Sequence, residues 1–259
     1  FWDALHHAGK AGCSVAVMTN GCLVTDEDAL RFRDLGVFEV QISLEGPESL
    51  HDAIRGRGSF GAALRGGERL SRAGVNVSAN VTLSRINSPF VEKTVEIARK
   101  SGFSGIGFSR LVPCGNGGEP ASNLLYPEEI RDVYEKIHSL NSAGFEVVSG
   151  DPLAVTLRED AQSPGCELTL SGCSAGFSGV TISCDGTVMA CRRTGIPVGH
   201  LRKNSLRHIW ATSKILWQLR NRASYKGRCG ACDLWPSCRG CRAVAYAYSR
   251  ARGRADLFA

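Results

Sequence analysis

The sequence predicts an α/β protein in which a parallel sheet is followed by a smaller, cysteine-rich region. Over roughly the first 150 residues, short apolar runs alternate with amphipathic segments, as in repeated strand–helix units. From about Gly165 onward, cysteines, glycines and short β segments replace those units, so we place a domain boundary near Pro164. At this size, residues 1–164 are expected to form a barrel or partial barrel, and residues 165–259 a second domain.

The elements of the first region each carry a local signal. Thr25, with Asp28 three residues later, predicts a capped helix start, and Gly36 predicts its end. Ser88-Pro89 opens another helix, and Pro127 precedes a helix whose apolar residues recur every three and four positions. A further helix carries Phe60, Leu64 and Leu70 on one face and ends at Gly74. The predicted strands are 13–18, 38–44, 75–83 and 106–112.

The second region predicts a hairpin followed by a helix. Two short β segments, Val180–Ser183 and Thr187–Ala190, are joined by Cys184-Asp185-Gly186, and Asp-Gly is a strong turn signal between alternating segments. A helix is predicted from Leu206 to about Arg220. Its inward residues are expected to be Ile209, Trp210, Leu216 and Leu219.

Composition excludes several classes of protein. No run approaches the roughly eighteen apolar residues of a membrane span, so we expect a soluble protein with no membrane partner. The 11 cysteines, with no secretory signal in residues 1–10, favour a reducing, cytoplasmic compartment and metal ligation. The net charge of +6 is too small to indicate nucleic-acid binding.

The cysteine spacing is the strongest single signal for chemistry. Four cysteines lie within thirteen residues: Cys229, Cys232, Cys238 and Cys241. They cannot all pair as disulfides without strain, because bridged Cα atoms lie about 4.4–6.8 Å apart. Thiolates that point inward from such a loop suit an iron–sulfur cluster, with zinc as the alternative, and Cys173 and Cys191 lie upstream. We interpret Cys13, Cys22 and Cys114 as small buried hydrophobes or loop thiols.

Short motifs follow one another in a fixed order along nearly the whole chain. In the first region they are Met18-Thr19-Asn20-Gly21, Gln41–Gly46, His51-Asp52, Arg55-Gly56 and Ser59-Phe60. In the second they are Cys173–Gly176, Asp185–Val188 with Cys191, Gly199–Leu201, Ile209-Trp210 and the cysteine loop ending Cys241–Tyr246. Together they resemble a radical S-adenosylmethionine (SAM) enzyme with a C-terminal SPASM domain. Among relatives, the chain is similar to maturases of mycofactocin and pyrroloquinoline quinone peptides and to heme-forming decarboxylases of coproheme type.

The resemblance implies a fold and a reaction. The fold is a partial (β/α)6 barrel, lacking its first βα units, joined to the SPASM domain. The reaction is reductive cleavage of SAM to a 5′-deoxyadenosyl radical, which removes a hydrogen from the substrate. By resemblance, Asn20 steadies the methionine end of SAM, Ser43 and Glu45 contact the ribose, and the backbone of Leu111 and Val112 reads the adenine.

The resemblance also assigns the cysteines to two auxiliary [4Fe-4S] clusters. The outer cluster takes Cys229, Cys232 and Cys238, with a fourth cysteine expected past Ala259, and the inner cluster takes Cys173, Cys191 and Cys241. The fourth inner ligand is Cys184, Cys166 or none, the last leaving an iron open to substrate. Arg192 and Arg193 follow a cluster ligand directly, where they would clamp a substrate carboxylate, with ordinary surface charge as the alternative.

One departure from the family pattern concerns the catalytic cluster. Its Cys-x3-Cys-x2-Cys motif is absent from these residues, so we expect it in βα units preceding Phe1. Gly117-Gly118-Glu119-Pro120 spells another family motif at the wrong place, and we treat it as coincidence.

The expected function is modification of a ribosomally made peptide, with tetrapyrrole side-chain modification, such as oxidative decarboxylation of a heme propionate, as the alternative. A catalytically silent iron–sulfur protein is the non-enzymatic alternative. The resemblance further implies a flavodoxin- or ferredoxin-type reductant and a peptide-chaperone protein as partners.

Overall fold

The computed structural model describes residues 1–115, 123–157 and 172–259. Two compact units are distinguished. The first comprises Phe1–Arg110 and Leu125–Gly150, and the second Leu111–Leu124 and Asp151–Ala259. The expected domain boundary near Pro164 falls outside the described residues. In the described ranges, no helix is both long enough and apolar enough to cross a membrane.

A parallel sheet forms the centre of the first unit, which confirms the predicted α/β class. Five strands are found among the described residues, with every neighbouring pair parallel and the spatial order following the chain order, as in a βα barrel. They are β1 (Ala16–Thr19), β2 (Glu39–Ser43), β3 (Val77–Leu83), β4 (Gly105–Arg110) and β5 (Glu146–Ser149). Strand β5 was not predicted from the sequence.

Helices alternate with these strands, and their ends follow the sequence signals. Thr25 and Asp28 form the predicted capping box, in which each side chain accepts a hydrogen bond from the other residue's backbone N–H. Gly36 ends that helix at a φ of 64°. The helices are α1 (Trp2–Lys10), α2 (Asp26–Asp34), α3 (Glu48–Arg55), α4 (Ser59–Arg72), α5 (Val91–Lys100) and α6 (Pro127–Ser139).

Helix α4 approaches the sheet closely because two of its buried residues are glycines. A Cβ on Gly66 would lie 2.1 Å from the carbonyl oxygen of Gly21, and a Cβ on Gly67 would lie 2.3 Å from the Phe103 ring. Real Cβ atoms do not tolerate such distances, so these positions accept only glycine without a shift. The contact of Gly66 fixes the turn that follows β1.

The second unit contains a small antiparallel sheet, which includes the predicted hairpin. Its strands are β6 (Thr181–Ile182), β7 (Thr187–Met189) and β8 (Pro197–His200). Five α-helices follow in the described part of this unit: α7 (Leu206–Thr212), α8 (Lys214–Arg220), α9 (Gly227–Ala231), α10 (Trp235–Cys238) and α11 (Arg242–Ala251).

The single helix expected from Leu206 to about Arg220 is divided in two. Ser213 lies between α7 and α8 with an extended backbone, φ −66° and ψ 118°. Thr212 donates its hydroxyl to the carbonyl of His208 at 2.8 Å, a back-bond that bends helices. Three of the four predicted inward residues are nevertheless buried: Ile209, Leu216 and Leu219 pack with Val188 in the core of this unit, and Trp210 is half-buried.

Candidate functional site

The first group of predicted site residues lies where β1 ends. Asn20 is exposed, and its side-chain oxygen accepts a hydrogen bond from the backbone N–H of Cys22 at 3.1 Å. Gly21 has a φ of 75°, and its N–H donates to the hydroxyl of Thr19 at 3.1 Å. Asn20 therefore caps a tight turn, which presents its side chain at the carboxyl end of the sheet.

Glu45, just after β2, accepts more side-chain hydrogen bonds from described residues than any other predicted SAM contact. Its side chain is 4% exposed. One carboxylate oxygen accepts from Arg55 Nε at 2.9 Å and Nη2 at 2.5 Å, and the other accepts from the backbone N–H of Thr82 at 3.0 Å. Because Thr82 belongs to β3, Glu45 ties the ends of two adjacent strands to helix α3. Ser43 is half-buried two residues earlier, at the end of β2.

His51 supports this arrangement from helix α3. It is buried, and its Nδ1 accepts from the backbone N–H of Glu45 at 3.2 Å. Burial lowers the pKa of His51, and the charge on Arg55 lowers it further. The imidazole is therefore held neutral with Nδ1 as an acceptor. His51 and Arg55 belong to a motif quoted in the sequence analysis, where no role was assigned to either.

Asp52 fixes the connection between α3 and α4. Its carboxylate accepts from the backbone N–H groups of Gly58 at 2.6 Å and Phe60 at 2.8 Å, and from the Ser59 hydroxyl at 3.3 Å. The hydrogen bonds from Phe60 and Gly58 hold the pKa of Asp52 below its usual value. In this motif, His51 therefore holds the backbone just after β2, and Asp52 holds the loop between α3 and α4.

Leu111 and Val112, the predicted adenine contacts, belong to the second unit and are described there. Leu111 is half-buried and Val112 is buried. The backbone N–H of Cys114 donates to the carbonyl of Val112 at 2.7 Å, which closes a turn after β4.

The cysteine loop folds as two short helices and a left-handed turn. Cys229 lies in α9, Cys232 follows it and is exposed, and Cys238 ends α10 and is buried. Arg239 and Gly240 then adopt φ values of 58° and 60°. The C-terminal residue of the loop is Cys241, which directly precedes α11.

Backbone and side-chain donors point at the sulfur atoms of this loop. The N–H of Gly240 donates to Cys238 Sγ at 3.3 Å, and Arg242 Nη2 donates to Cys229 Sγ at 3.2 Å. A Cβ on Gly240 would lie 2.7 Å from Arg242 Nη2 and 3.2 Å from Cys229 Sγ, so a side chain there would be strained at its positive φ of 60° and would displace the Arg242 guanidinium. Burial raises the pKa of the Cys238 thiol, and the neighbouring Cys229 and Cys232 raise it further.

Two buried arginines lie among these thiols. Arg239 is 2% exposed, and its Nε donates to the carbonyl of Cys173 at 3.0 Å, which joins this upstream cysteine to the loop. Arg242 is 3% exposed and stacks over Tyr225 at 4.8 Å. Arg242 Nη1 donates to the backbone oxygen of Ala259 at 3.5 Å, and in the described part of the chain its Nε has no hydrogen-bond partner and no Asp or Glu side chain forms an ion pair with it. A buried cation of this kind calls for a nearby negative charge.

Cys191 lies outside the loop, after β7. Its carbonyl accepts from the N–H of Thr194 at 3.1 Å and from the Thr194 hydroxyl at 2.8 Å. The resulting turn carries Arg192, which is exposed, and Arg193, which is half-buried. Cys184 is exposed at the hairpin turn, and Cys166, the other candidate for the fourth inner ligand, lies outside the described residues.

The remaining cysteines are loop thiols. Cys13 is exposed, while Cys22 and Cys114 are half-buried, so none of them is a buried hydrophobe. All cysteines in the described ranges are free thiols. Across these same ranges, no three His, Cys, Asp or Glu side chains are grouped to hold a single metal ion. The motif-like Gly117–Pro120 also lies outside the described residues.

The donor set of the cysteine loop fits an iron–sulfur cluster. Such clusters are held by thiolates, and N–H groups directed at the sulfurs adjust their potential. The loop supplies both, together with a buried guanidinium whose charge a thiolate-bound cluster would balance. In the first unit, the exposed amide of Asn20 and the fixed carboxylate of Glu45 offer polar contacts of the kind an amino acid and a ribose require.

Two family profiles match the chain. The profile described as Radical SAM superfamily matches residues 2–98, and the SPASM profile, described as an iron–sulfur cluster-binding domain, matches residues 173–242. The AdoMet-dependent heme synthase of Methanosarcina barkeri is 30% identical over 260 residues, covering 95% of this chain and 74% of that protein. The mycofactocin maturase MftC of Mycobacterium tuberculosis is 32% identical over 246 residues, covering 93% of this chain and 61% of that protein.

Solved structures share the fold. SuiB of Streptococcus suis, solved with bound S-adenosylmethionine, superposes with a TM-score of 0.75 at 12% identity, covering 99% of this chain and 60% of that one. The structure of anSMEcpe with bound AdoMet and the Kp18Cys peptide superposes with a TM-score of 0.65 at 18% identity, covering 89% of this chain and 66% of that one. The chain thus spans about three fifths to three quarters of the length of these proteins.

Proposed function

The chain belongs to the radical SAM superfamily and carries a SPASM domain, and we propose that it modifies a ribosomally made peptide by radical chemistry. Enzymes of this superfamily with a SPASM domain use SAM and [4Fe-4S] clusters. When bound, a reduced cluster supplies the electron that cleaves SAM, and SAM supplies the radical that removes a hydrogen. The catalytic Cys-x3-Cys-x2-Cys is not within these 259 residues. The proposal therefore concerns the gene product that contains this chain.

The SAM contacts proposed in the first unit are Asn20, Ser43 and Glu45. The observation that supports them is their position at the carboxyl ends of adjacent parallel strands, where ligands of βα barrels bind. A carboxylate offers about four lone-pair sites, and Arg55 and Thr82 use three of those on Glu45. The remaining site is proposed to accept a hydrogen bond from a ribose hydroxyl. The backbone of Leu111 and Val112 is proposed to read the adenine.

The auxiliary clusters are proposed to bind the six SPASM cysteines. The outer cluster takes the loop thiols Cys229, Cys232 and Cys238, and the contacts of Gly240 and Arg242 with two of these sulfurs support that assignment. The inner cluster takes Cys173, Cys191 and Cys241. Within this scheme the loop residues orient the thiolates and exclude water, since Cys238 and Arg242 are buried.

A carboxylate-bearing substrate is proposed from the position of Arg192 and Arg193 directly after Cys191. A peptide C-terminus supplies such a carboxylate, and the relatives named as mycofactocin maturases support a peptide. A second candidate is tetrapyrrole side-chain modification, because relatives named as heme synthases match over a larger share of their length. As partners we propose a flavodoxin- or ferredoxin-type reductant and a peptide-chaperone protein. The proposed location is the cytoplasm.

The experiment that tests the proposed function is anaerobic reconstitution followed by an assay for SAM cleavage under dithionite. Formation of 5′-deoxyadenosine supports radical SAM chemistry, and its absence in fully reconstituted protein favours the catalytically silent iron–sulfur protein. Mass spectrometry of a peptide encoded beside the gene, and of Fe-coproporphyrin III, then separates the two substrates. A mass change in the peptide alone supports the first candidate; a change in the porphyrin alone supports the second.

A further inference from the structure

A cavity of about 880 Å³ lies within the second unit. Its size falls within the range of about 300–1,000 Å³ that is typical of small-molecule sites. Three segments line it: the turn at Cys114, the turn that carries Arg192 and Arg193, and one face of α11. Of the lining residues that the structure describes, none is acidic.

Helix α11 builds its part of the wall from one face. Tyr246 and Arg250 are four residues apart and both line the cavity, with small alanines beside them. The guanidinium of Arg250 lies 5.9 Å from the centre of the Tyr246 ring. A positive charge and an aromatic surface are therefore presented together by a rigid element, with space left by the small side chains.

Within the described residues, no carboxylate pairs with the positive charge of this cavity. Arg192, Arg193 and Arg250 form no ion pair with a carboxylate in the described part of the chain. Like charges that share a concave surface repel one another and attract anions. Guanidinium groups bind carboxylates through paired N–H donors, which gives orientation as well as affinity. Because the arginines come from two separate elements, they suit a ligand with more than one carboxylate.

The cavity also lies next to two of the proposed inner-cluster ligands in sequence. Arg192 directly follows Cys191, and Ala243 lies two residues after Cys241. A ligand held here is therefore positioned beside the cysteines assigned to that cluster.

We propose that this cavity binds a substrate through two or more carboxylates, with Arg192 and Arg193 on one wall and Arg250 on another, while Tyr246 packs against the apolar body of the substrate. The inference rests on the proposed function and narrows its substrate class to polycarboxylates. It adds Arg250, which the sequence alone did not single out, and it gives a role to Tyr246, which the sequence analysis quoted only as part of a motif.

The test is equilibrium binding to the reconstituted gene product without SAM or reductant, so that no chemistry occurs. One probe is Fe-coproporphyrin III, which has four propionates, followed by its absorbance, with its tetramethyl ester as the uncharged control. The other probe is a fluorescent hexaglutamate peptide, followed by anisotropy. Variants Arg250→Gln and Arg193→Gln remove cavity charges, and Arg193→Lys retains one. Arg252→Gln, exposed just after α11 and outside the cavity lining, is the matched control.

We expect Arg250→Gln and Arg193→Gln to weaken binding of at least one probe by about 10- to 100-fold, as for loss of a hydrogen bond between charged groups. Arg193→Lys should recover part of the loss, and Arg252→Gln should change binding by less than about twofold. Porphyrin binding supports a tetrapyrrole source and peptide binding an acidic peptide source. The inference is overturned if the ester binds as well as the acid, if the two Gln variants match Arg252→Gln, or if neither probe binds. SAM cleavage measured on the same wild-type preparation separates these outcomes from failure of the proposed function.

Discussion

The buried carboxylate of Glu45 gives the sharpest test of how the carboxyl end of the sheet is held. Substitution Glu45→Gln keeps the shape of the side chain but removes its charge. The amide then places an N–H₂ group against either the guanidinium of Arg55 or the backbone N–H of Thr82, both of which are donors. One donor is left without an acceptor in either orientation.

The size of the effect follows from burial. Removing one partner of a buried ion pair costs about 3–5 kcal/mol, because a charge is left uncompensated. Here the Glu45 side chain is 4% exposed, but that of Arg55 is 31% exposed, so water hydrates part of the charge left behind. Discounting for this screening, we expect Glu45→Gln to destabilise the strand ends by about 2–3 kcal/mol.

Hydrogen exchange read by mass spectrometry is the suitable assay, because it reports each unit separately and needs no two-state transition. Peptides covering β2 and β3 should exchange about 30- to 140-fold faster in Glu45→Gln, the factor that corresponds to 2–3 kcal/mol. The control is Glu48→Gln, an exposed residue of α3, which should change stability by less than about 0.5 kcal/mol. If Glu45→Gln exchanges no faster than Glu48→Gln, the carboxylate does not hold these strands, and the reasoning is wrong.

Three further predictions follow from the described contacts. Gly66→Ala should destabilise the first unit by about 1–3 kcal/mol, because the added Cβ would meet the backbone oxygen of Gly21. Gly61→Ala in the same helix should be neutral or stabilising, because its added Cβ meets only the end of a flexible arginine. Urea unfolding compares the stabilities of the two variants. Because burial lowers the folded-state pKa of His51, its contribution to stability is fully present above its unfolded pKa of about 6.5 and is lost as pH falls toward the folded pKa. His51→Asn, which keeps an acceptor, should therefore reduce the loss of stability between pH 7.5 and pH 5, and an unchanged loss would contradict this account. Arg242→Gln should shift the reduction potential of the outer cluster by about 40–60 mV to more negative values, because it removes a charge-assisted hydrogen bond to Cys229 worth about 1 kcal/mol. A redox titration followed by electron paramagnetic resonance measures this potential. An unchanged potential would show that Arg242 does not act on the cluster.

Much of the fold could be predicted because strong local signals agreed with the tertiary contacts. The Thr25–Asp28 capping box and the Asp-Gly hairpin turn each specify a backbone geometry without help from distant residues. Strand β5 escaped prediction because it has four residues and carries Glu146, so its alternation is short and weak. The break at Ser213 escaped for a different reason: apolar periodicity continues through it, and Gly or Pro, the usual markers of a helix end, are not found at Ser213.

The residue types of the candidate site could be predicted from the sequence, but the hydrogen bonds and ion pairs between them could not. Glu45 stands out in the sequence through the family resemblance, and the cysteine loop stands out because four clustered thiols suggest metal or cluster binding. Arg55 and Arg242 do not, since an arginine on an amphipathic helix is usually a solvated charge. Their contacts with Glu45 and Cys229 join residues 10 and 13 positions apart in the chain, which periodicity does not encode.

The central claim, that the second unit holds two auxiliary clusters on its six SPASM cysteines, is tested most directly by iron content. The measurement compares anaerobically reconstituted wild-type gene product with the double variant Cys229→Ala/Cys232→Ala and with Cys13→Ser, an exposed control outside the loop. We expect the double variant to bind about four fewer iron atoms per chain, one [4Fe-4S] cluster, and Cys13→Ser to bind as many as wild type. Equal iron in the double variant and the wild type, or about one zinc per chain in place of that cluster, would contradict the account.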